Sequence, residues 1–207
     1  MSIRQAYNAW SSQYDTNVNR TRDLEGIALR TTLSSVKFDR CLEVGCGTGK
    51  NTEWLVQQAS HITAVDLSEK MLELAKAKVS SEKVIYKQAD ITGAWTFAEG
   101  PYDLITFSLV LEHIQNLDHI FSNVVSLLAP GGIVYVGELH PFKQYAGTKA
   151  RFDTESGRQL VECYDHHVSD FTQVAKKNGL RLLDVNEYFD AGDRTIPRIL
   201  TVLLQKP

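Results

Sequence analysis

The apolar residues of the chain form short continuous runs that alternate with segments of helical spacing. Between the runs, Ser68 is placed to cap a helix, and residues 114–128 repeat apolar side chains at helical spacing until Pro130-Gly131-Gly132. This strand–helix alternation predicts a parallel sheet with helices on both faces. The runs typical of buried strands are 40–44, 61–67, 84–88, 102–108 and 133–139.

The end of the chain breaks this alternation. Residues 169–178 predict a helix, but 180–189 and 196–204 are two strand-like runs with only a turn, DAGDR, between them. A parallel return needs a longer crossover, so we expect these strands to pair antiparallel. The sequence therefore predicts an α/β three-layer sandwich with a mostly parallel seven-stranded sheet and an antiparallel last strand.

Composition limits the class of protein. The 207 residues are 43% hydrophobic with a net charge of −3, which fits one domain spanning residues 1–207 and no generally basic nucleic-acid surface. No run approaches the roughly 18 apolar residues of a membrane span, and the first residues lack the apolar core of a secretory signal. Cys41, Cys46 and Cys163 form neither a CxxC pair nor an even framework. We expect a cytoplasmic protein with free thiols and no membrane or nucleic-acid partner.

Three glycines at alternate positions follow the first predicted strand. Gly45, Gly47 and Gly49 let the backbone turn sharply and approach a ligand, and the following helix start offers N–H donors. The dinucleotide fingerprint G-x-G-x-x-G has its third glycine one position later. The alternative is a tight strand–helix turn that binds nothing.

Acidic residues occur at three successive strand ends. Asp66 stands 21 residues after Gly45, where a carboxylate can accept hydrogen bonds from ribose hydroxyls. Asp90 can accept from an exocyclic amine while Ile91 packs on a purine. Glu43 precedes the glycines and, if buried, needs partners such as the backbone N–H groups of the loop. Because the carboxyl ends of parallel strands meet at one edge, these groups converge on one crevice.

The segments LEVGCGTGKNT, AVDLSEKMLELA, QADI, YDLITFSLVLEHI and LLAPGGIVYVGE together resemble the motif series of class I S-adenosylmethionine-dependent methyltransferases. The small-molecule branch, with type 11/12 and ubiquinone-biosynthesis-like domains, is the most similar. The resemblance covers about residues 40–139 in order and spacing. It implies a Rossmann-like fold, S-adenosyl-L-methionine as cofactor, and methyl transfer to oxygen, nitrogen or carbon of a small molecule.

The same resemblance implies which positions hold the cofactor. The glycine loop would surround its methionine part, Asp66 would hold the ribose, and Asp90 would meet the adenine amine. Met71 has helical spacing and could equally be plain core. The implied cofactor-binding positions after the first four strands are Glu43, Gly45, Cys46, Gly47, Gly49, Asp66, Leu67, Met71, Asp90, Ile91, Ser108 and Leu109.

Two segments outside the core pattern predict a helical and loop-built lid. Residues 1–36 are polar and aromatic, and we expect lid helices there. By the resemblance, Tyr14 and Arg22 would close over the cofactor, since a guanidinium can bind a carboxylate through two hydrogen bonds. Their alternative is an ordinary surface helix. Residues 140–167 are too long for a simple connection, so we expect a substrate lid.

Methyl transfer requires a base only when the acceptor must lose a proton. Histidine titrates near neutrality, and His140 lies where the acceptor should approach. We therefore take His140 as the first catalytic candidate, followed by His166 and Tyr164; structural hydrogen bonding is the alternative for each. His113 is interpreted as packing against the cofactor edge. His140, His166 and His167 have poor metal-ligand geometry, and we expect no metal.

The absence of certain motifs narrows the acceptor. No Asp/Asn-Pro-Pro-aromatic tetrad follows the fourth strand, and no Pro-Cys dipeptide is present, which favours a small-molecule acceptor. Two alternatives stay open: a non-catalytic partner subunit that binds S-adenosylmethionine, and an NAD(P)-dependent oxidoreductase. The glycine spacing and the lack of a Tyr-x-x-x-Lys dyad behind a serine count against the oxidoreductase. The acceptor atom and the oligomeric state are open.

Overall fold

The computed structural model describes residues 2–154 and 157–207. Its helices are α1 (Ile3–Tyr14), α2 (Arg20–Leu33), α3 (Thr52–Gln58), α4 (Glu69–Lys78), α5 (Leu117–Leu127), α6 (Pro141–Tyr145) and α7 (Val168–Lys177), with a short 3-10 turn at Leu111–His113. Its strands are β1 (Arg40–Val44), β2 (His61–Asp66), β3 (Val84–Gln88), β4 (Tyr102–Ser108), β5 (Leu128–Leu139), β6 (Arg151–Thr154), β7 (Gly157–Leu160), β8 (Arg181–Tyr188) and β9 (Ile199–Gln205).

Seven strands form one sheet in the order β3-β2-β1-β4-β5-β9-β8. Strands β1 to β5 pair in parallel, whereas β9 runs antiparallel to both β5 and β8. The predicted fold class is confirmed. Because the chain moves outward from β1 first towards β3 and then towards β5, a crevice opens at the carboxyl end of β1.

The strand β5 and the helix before it differ from the prediction at their starts. β5 begins at Leu128 rather than 133, because Pro130-Gly131-Gly132 is absorbed as an irregularity in the pairing with β4, between Tyr102 and Leu104. Helix α5 begins only at Leu117, because the Asn116 side chain accepts a hydrogen bond from the backbone and caps the helix.

Alternating residues of the central strands form a core on each face of the sheet. On β4, Ile105 belongs to the cluster that contains Phe121 of α5, while its neighbour Leu104 belongs to the cluster that contains Leu29 of α2 and Leu55 of α3. This alternation follows from the two-residue period of a strand. Helix α2 is therefore part of the helical layer on the sheet, although residues 1–36 were predicted as lid helices.

The segment 140–167 contains the short helix α6 and a β-hairpin formed by β6 and β7. Arg151 pairs with Leu160 and Phe152 with Gln159. The sequence analysis did not predict this hairpin, because its strands have only four residues each and lie in a polar segment. The hairpin is held by contacts with a distant part of the chain.

Helix α1 and the hairpin pack on one another in a third apolar cluster, apart from the two core clusters. This lid cluster consists of Ala6, Trp10, Phe152 and Val161. The rings of Trp10 and Phe152 are stacked, with centroids 5.4 Å apart and an interplanar angle of 15°. The two outlying segments thus form one structure. Across the described residues, no helix combines the length and apolar character that a bilayer crossing requires.

The separation of the lid cluster from the core leads to a local prediction. Trp10→Ala removes the stacked ring and should cost the lid about 3–5 kcal/mol. We expect faster hydrogen exchange in α1 and the hairpin, with little change in the sheet, as measured by mass spectrometry. The matched variant Phe121→Ala should lower the unfolding temperature of the whole protein. A uniform rise in exchange for Trp10→Ala would contradict an independent lid.

Candidate active site

A cavity of about 1000 Å³ lies at the carboxyl ends of β1 to β4. Helix α1 contributes Tyr7 and Tyr14 to its wall, and the segment after the hairpin contributes Glu162. The first four strands and the lid therefore surround one space, as expected from the position of the crevice. The sequence-predicted residues that line it are Tyr14, Gly45, Gly47, Asp66, Leu67, Met71, Asp90, Ile91, Ser108, Leu109 and Tyr164.

The three glycines of the loop serve different purposes. All have positive φ angles: +75° at Gly45, +52° at Gly47 and +82° at Gly49. A Cβ at Gly45 would lie 2.0 Å from Cγ2 of Val110, and one at Gly49 would lie 3.1 Å from Cα of Ala75. At Gly47 nothing stands within 4 Å. Packing therefore requires two of the glycines, whereas the third leaves open space on the cavity wall.

The carboxylate of Asp66 joins the glycine loop to α4. Its Oδ2 accepts a hydrogen bond from Gly47 N at 2.9 Å, and its Oδ1 accepts one from Ser68 N at 2.8 Å. Burial raises the pKa of Asp66, and the backbone hydrogen bonds oppose that rise. Each carboxylate oxygen has a second lone pair, so the group can also accept hydrogen bonds from a ligand.

Glu43, Cys46 and Gly49 support the loop from behind the cavity wall. Glu43 is buried, and its Oε2 accepts a 2.6 Å hydrogen bond from the Thr52 hydroxyl. Burial raises its pKa to about 8. Cys46 packs in the core cluster with Leu72. The partner of Glu43 is thus a side chain at the start of α3 rather than the backbone of the loop.

Asp90, which follows β3, places a carboxylate on the cavity wall. Oδ1 of Asp90 accepts hydrogen bonds from Thr92 N at 2.9 Å and from the Thr92 hydroxyl at 2.6 Å. This turn fixes the carboxyl group where Ile91 also lines the cavity. Met71 is both buried and part of the wall, so the core and the pocket interpretations both describe it.

Arg22 lies behind Tyr14 and is largely buried. Its guanidinium carbon is 5.4 Å from the centre of the Tyr14 ring. Nε donates to Asp23 and Nη2 to the carbonyl of Asn17, each at 3.1 Å. Nη1 is buried and has no hydrogen-bond partner among the described residues. A buried guanidinium N–H without a partner is costly, so Nη1 is a donor available to an anion.

Neither His140 nor His166 is among the described residues that line the cavity. Nδ1 of His140 accepts from Phe142 N at 3.2 Å, so Nε2 carries the proton and donates to Glu187 at 2.9 Å. Burial lowers the pKa of His140. Nε2 of His166 donates to the carbonyls of Leu111 and Ile114. Both nitrogens of His140 and Nε2 of His166 are thus engaged in local structure, and the catalytic role of these rings stays a prediction.

Other members of the predicted set keep different surroundings. Tyr164 does line the cavity, and its hydroxyl donates to Glu162 Oε1 at 3.2 Å. Nδ1 of His167 is 2.6 Å from the Tyr145 hydroxyl. The described residues contain no group of three His, Cys, Asp or Glu side chains that could hold a metal ion.

The sequence analysis missed a tyrosine–histidine pair on the cavity wall. His113 Nε2 lies 2.7 Å from the Tyr7 hydroxyl, and His113 Nδ1 lies 2.7 Å from the carbonyl oxygen of Glu162. Both rings line the cavity. Burial raises the pKa of Tyr7 and keeps it a neutral phenol. The signal in the sequence was the aromatic stripe of Tyr7, Trp10 and Tyr14, whose spacing is that of one helix face.

The loop after β4 is held by a buried acid. Leu109 has a φ of +56°, a conformation that is rare for a side chain of this kind. Oε1 of Glu138 accepts hydrogen bonds from Val110 N at 3.0 Å and Leu111 N at 2.8 Å. Burial raises the pKa of Glu138 to about 8. The strained backbone beside the cavity is therefore fixed from β5.

Polar contacts fasten α1 across the cavity. Asn8 donates to Glu69 at 2.8 Å and accepts from the Ser68 hydroxyl at 2.6 Å. Near the other end of the helix, Asp15 accepts from the Thr48 hydroxyl at 2.7 Å. These contacts join α1 to the start of α4 and to the glycine loop, the same two elements that Asp66 connects.

Comparison with known proteins identifies the family. Residues 42–136 match the family model described as a methyltransferase domain. A ubiquinone biosynthesis O-methyltransferase of Coxiella burnetii is 30% identical over 158 residues, which cover 73% of this chain and 67% of that one. The chain belongs to the class I S-adenosylmethionine-dependent methyltransferases.

Solved structures agree with this assignment. A putative S-adenosylmethionine-dependent methyltransferase from Listeria monocytogenes has a TM-score of 0.76 at 25% identity, covering 89% of this chain and 99% of that one. An N-methyltransferase from Bradyrhizobium japonicum, in complex with S-adenosyl-L-homocysteine, shares the fold with a TM-score of 0.75 at 19% identity and full coverage of both chains. The protein is a methyltransferase enzyme with S-adenosylmethionine as cofactor, which excludes the oxidoreductase interpretation.

The different surroundings of Gly45 and Gly47 predict different defects. Gly45→Ala combines a strained backbone with a clash against Val110, each costing about 1–3 kcal/mol, so unfolding by urea should begin at a clearly lower concentration. Gly47→Ala has only the backbone strain, but its methyl group projects into open space on the wall. We expect it to weaken S-adenosylhomocysteine binding more than its stability loss explains. Equal unfolding midpoints for the two variants would contradict this difference.

The raised pKa of Glu138 predicts how stability depends on pH. The group titrates near 8 in the folded protein and near its ordinary value of 4.5 in the unfolded chain. Between these values the unfolded chain has lost a proton that the folded protein keeps, so stability falls as pH rises. Glu138→Gln can accept the same two hydrogen bonds without ionising.

Urea denaturation of this variant at roughly pH 5 and at roughly pH 8.5 checks the sign. Relative to the unchanged protein, Glu138→Gln should gain stability at the higher pH. The exposed Glu82→Gln is the matched control and should show no such gain. A gain confined to the lower pH would show that Glu138 is ionised in the folded protein.

Proposed function

We propose that the enzyme transfers the methyl group of S-adenosylmethionine to a small molecule that binds beneath the lid. The observation that carries this proposal is the cavity closed in by α1 and fastened at Asn8 and Asp15. A cavity of about 1000 Å³ accommodates a cofactor and a small acceptor but not a folded macromolecule. The near-neutral charge of the chain gives no general attraction to nucleic acid.

In this proposal, different residues of the cavity wall bind different parts of the cofactor. Asp66 accepts hydrogen bonds from the ribose hydroxyls while holding Gly47 N. Asp90 accepts from the adenine amine, and Leu67, Met71 and Ile91 form the apolar surface around the base. This division is supported by the presence of all five residues on the cavity wall, four of them at the ends of β2 and β3 and Met71 in the first turn of α4.

The methionine end of the cofactor lies between the glycine loop and the loop after β4 in this proposal. Ser108 and Leu109 adjoin its amino group, and the open space at Gly47 allows close approach. The unpaired Nη1 of Arg22, behind Tyr14, is the donor for its carboxylate. Glu43, Cys46 and Gly49 act through the shape of the loop.

Bound S-adenosylmethionine supplies an electrophilic methyl group on a sulfonium. The protein contributes position and exclusion of water, since the lid cluster covers the site and the wall orients the acceptor. Tyr164 and Glu162 lie at the lid end of the wall and contact the acceptor there. His140 and His166 hold lid segments in place through the hydrogen bonds described above.

Calorimetric titration with S-adenosylmethionine, S-adenosylhomocysteine and NADH tests the cofactor site. We expect both sulfur nucleotides to bind and NADH not to bind. Asp66→Ala removes charged hydrogen bonds and should weaken S-adenosylhomocysteine about 10- to 100-fold. Asp39→Ala, at the opposite end of the sheet, is the control and should bind normally. Unchanged affinity in Asp66→Ala would contradict the assigned role.

Release of S-adenosylhomocysteine then tests the acceptor class. A metabolite filtrate, a protein fraction and a transfer-RNA fraction are offered separately with methyl-labelled cofactor. Label entering the filtrate alone supports the proposal. Label entering protein or RNA alone would show that the lid opens for a macromolecule and would overturn it.

A further inference from the structure

Tyr7 and His113 form the only described pair in which a histidine ring on the cavity wall shares a hydrogen bond with a tyrosine of the lid. We infer that this pair removes a proton from a neutral hydroxyl group of the acceptor while that oxygen is methylated. The inference rests on the proposed function and names its substrate class. Tyr7 contacts the acceptor, and His113 receives the proton through it.

The hydrogen bonds of His113 determine its tautomer. The carbonyl oxygen of Glu162 can only accept, so Nδ1 of His113 carries a hydrogen and donates to it at 2.7 Å. In the neutral ring, Nε2 therefore has a lone pair. The Tyr7 hydroxyl donates to that lone pair at 2.7 Å. The ring is thus oriented with its basic nitrogen towards the cavity side of α1.

The phenol oxygen of Tyr7 is the point of contact for the acceptor. It donates its hydrogen to His113 and has two lone pairs that can accept hydrogen bonds. An acceptor hydroxyl in the cavity can donate to one of them. Because burial keeps Tyr7 neutral, it passes a proton on instead of holding a charge of its own.

The step balances as follows. The oxygen–carbon bond forms as the sulfur–carbon bond breaks, and the electron pair of the broken bond stays on sulfur. The acceptor's proton moves to Tyr7 Oη, and the proton of Tyr7 moves to His113 Nε2. The imidazolium later releases its proton to solvent.

A buried carboxyl group lies beside the His113 ring. Oε1 of Glu112 lies 3.9 Å from His113 Nε2, and Glu112 is itself buried. Asp66 also interacts electrostatically with His113. Both carboxyl groups can therefore interact with the positive charge that the ring carries after it has accepted the proton.

A neutral hydroxyl suits the acceptor end better than an ammonium group. The cavity wall that contains the pair also includes Leu109, Ile114 and Tyr164. An ammonium group there would lie beside the positive sulfonium, and the repulsion between the two like charges disfavours it. The name of the Coxiella burnetii relative, an O-methyltransferase, points to the same acceptor atom.

The relay joins the lid to the sheet, since Tyr7 lies on α1 and His113 lies on the turn after β4, 106 residues later in the sequence. Docking of α1 therefore completes the group that accepts the proton.

The first experiment uses 4-nitrocatechol, whose ionisation near neutrality is visible in its absorption spectrum. It is titrated into the complex with S-adenosylhomocysteine. We expect the unchanged protein to bind it as the phenolate at a pH where the free compound is mostly neutral. His113→Gln and the nearly isosteric Tyr7→Phe should both lose this spectral shift. Tyr7→Phe keeps the aromatic ring and should keep its S-adenosylhomocysteine affinity within about twofold. The exposed His61→Gln is the matched control and should behave like the unchanged protein.

The second measurement is methylation of 4-nitrocatechol and of benzylamine. For 4-nitrocatechol, His113→Gln should reduce kcat about 10²- to 10⁴-fold with little change in the KM for S-adenosylmethionine. Tyr7→Phe should reduce it by about tenfold or more and flatten the rise of kcat with pH.

The outcomes distinguish a failure of the proposed function from a failure of the Tyr7–His113 relay or of its acceptor class. If the unchanged protein does not bind S-adenosylhomocysteine, the proposed function is wrong. Normal binding with the same spectrum and kcat in His113→Gln overturns the relay. Failure of 4-nitrocatechol to bind the complex, or methylation of benzylamine alone, overturns the hydroxyl acceptor.

Discussion

The two hydrogen bonds to the carboxylate of Asp66 are the constraint on which the site depends. One comes from Gly47 and the other from Ser68, so the end of β2 holds both the glycine loop and the start of α4. Helix α1 is fastened to the same two places through Thr48 and Ser68. The lid is therefore positioned by the element that also lines the cofactor end of the cavity. A shift of the loop moves the lid with it.

Buried acids beneath the cavity hold together the elements that surround it. Glu43, Glu112 and Glu138 are buried, and burial raises the pKa of each. Glu25, on α2, bonds to the Tyr135 hydroxyl at 3.1 Å and to Asn51 at 2.9 Å. A protonated carboxyl can join backbone and side-chain groups without the full penalty of a buried charge. The cavity wall instead carries Asp66 and Asp90, whose carboxylate oxygens accept hydrogen bonds from the backbone N–H groups of Gly47 and Thr92.

The parts of the structure that depend on local sequence were predictable. The bounds of β1, β3 and β4 agree with the apolar runs, because a buried parallel strand needs continuous apolar residues. The residues that follow those strands meet at one edge of the sheet because the strands are parallel. The position of His140 was not predictable, since its partner Glu187 is 47 residues away. The pairing of Tyr7 with His113 was missed because nothing in the sequence near either residue indicates the other.

The long separation between α1 and its partners has a consequence for the growing chain. Helix α1 is synthesised before the hairpin, and Trp10 can stack on Phe152 only after more than a hundred further residues have been made. Until then its aromatic stripe has no native surface to cover. The lid therefore forms late in folding, because bringing α1 to the hairpin closes a long loop at a large cost in entropy. Strands β1 and β2, in contrast, can pair soon after synthesis. In the interval, the stripe on α1 is a surface for premature association, and its polar face keeps the nascent segment in solution.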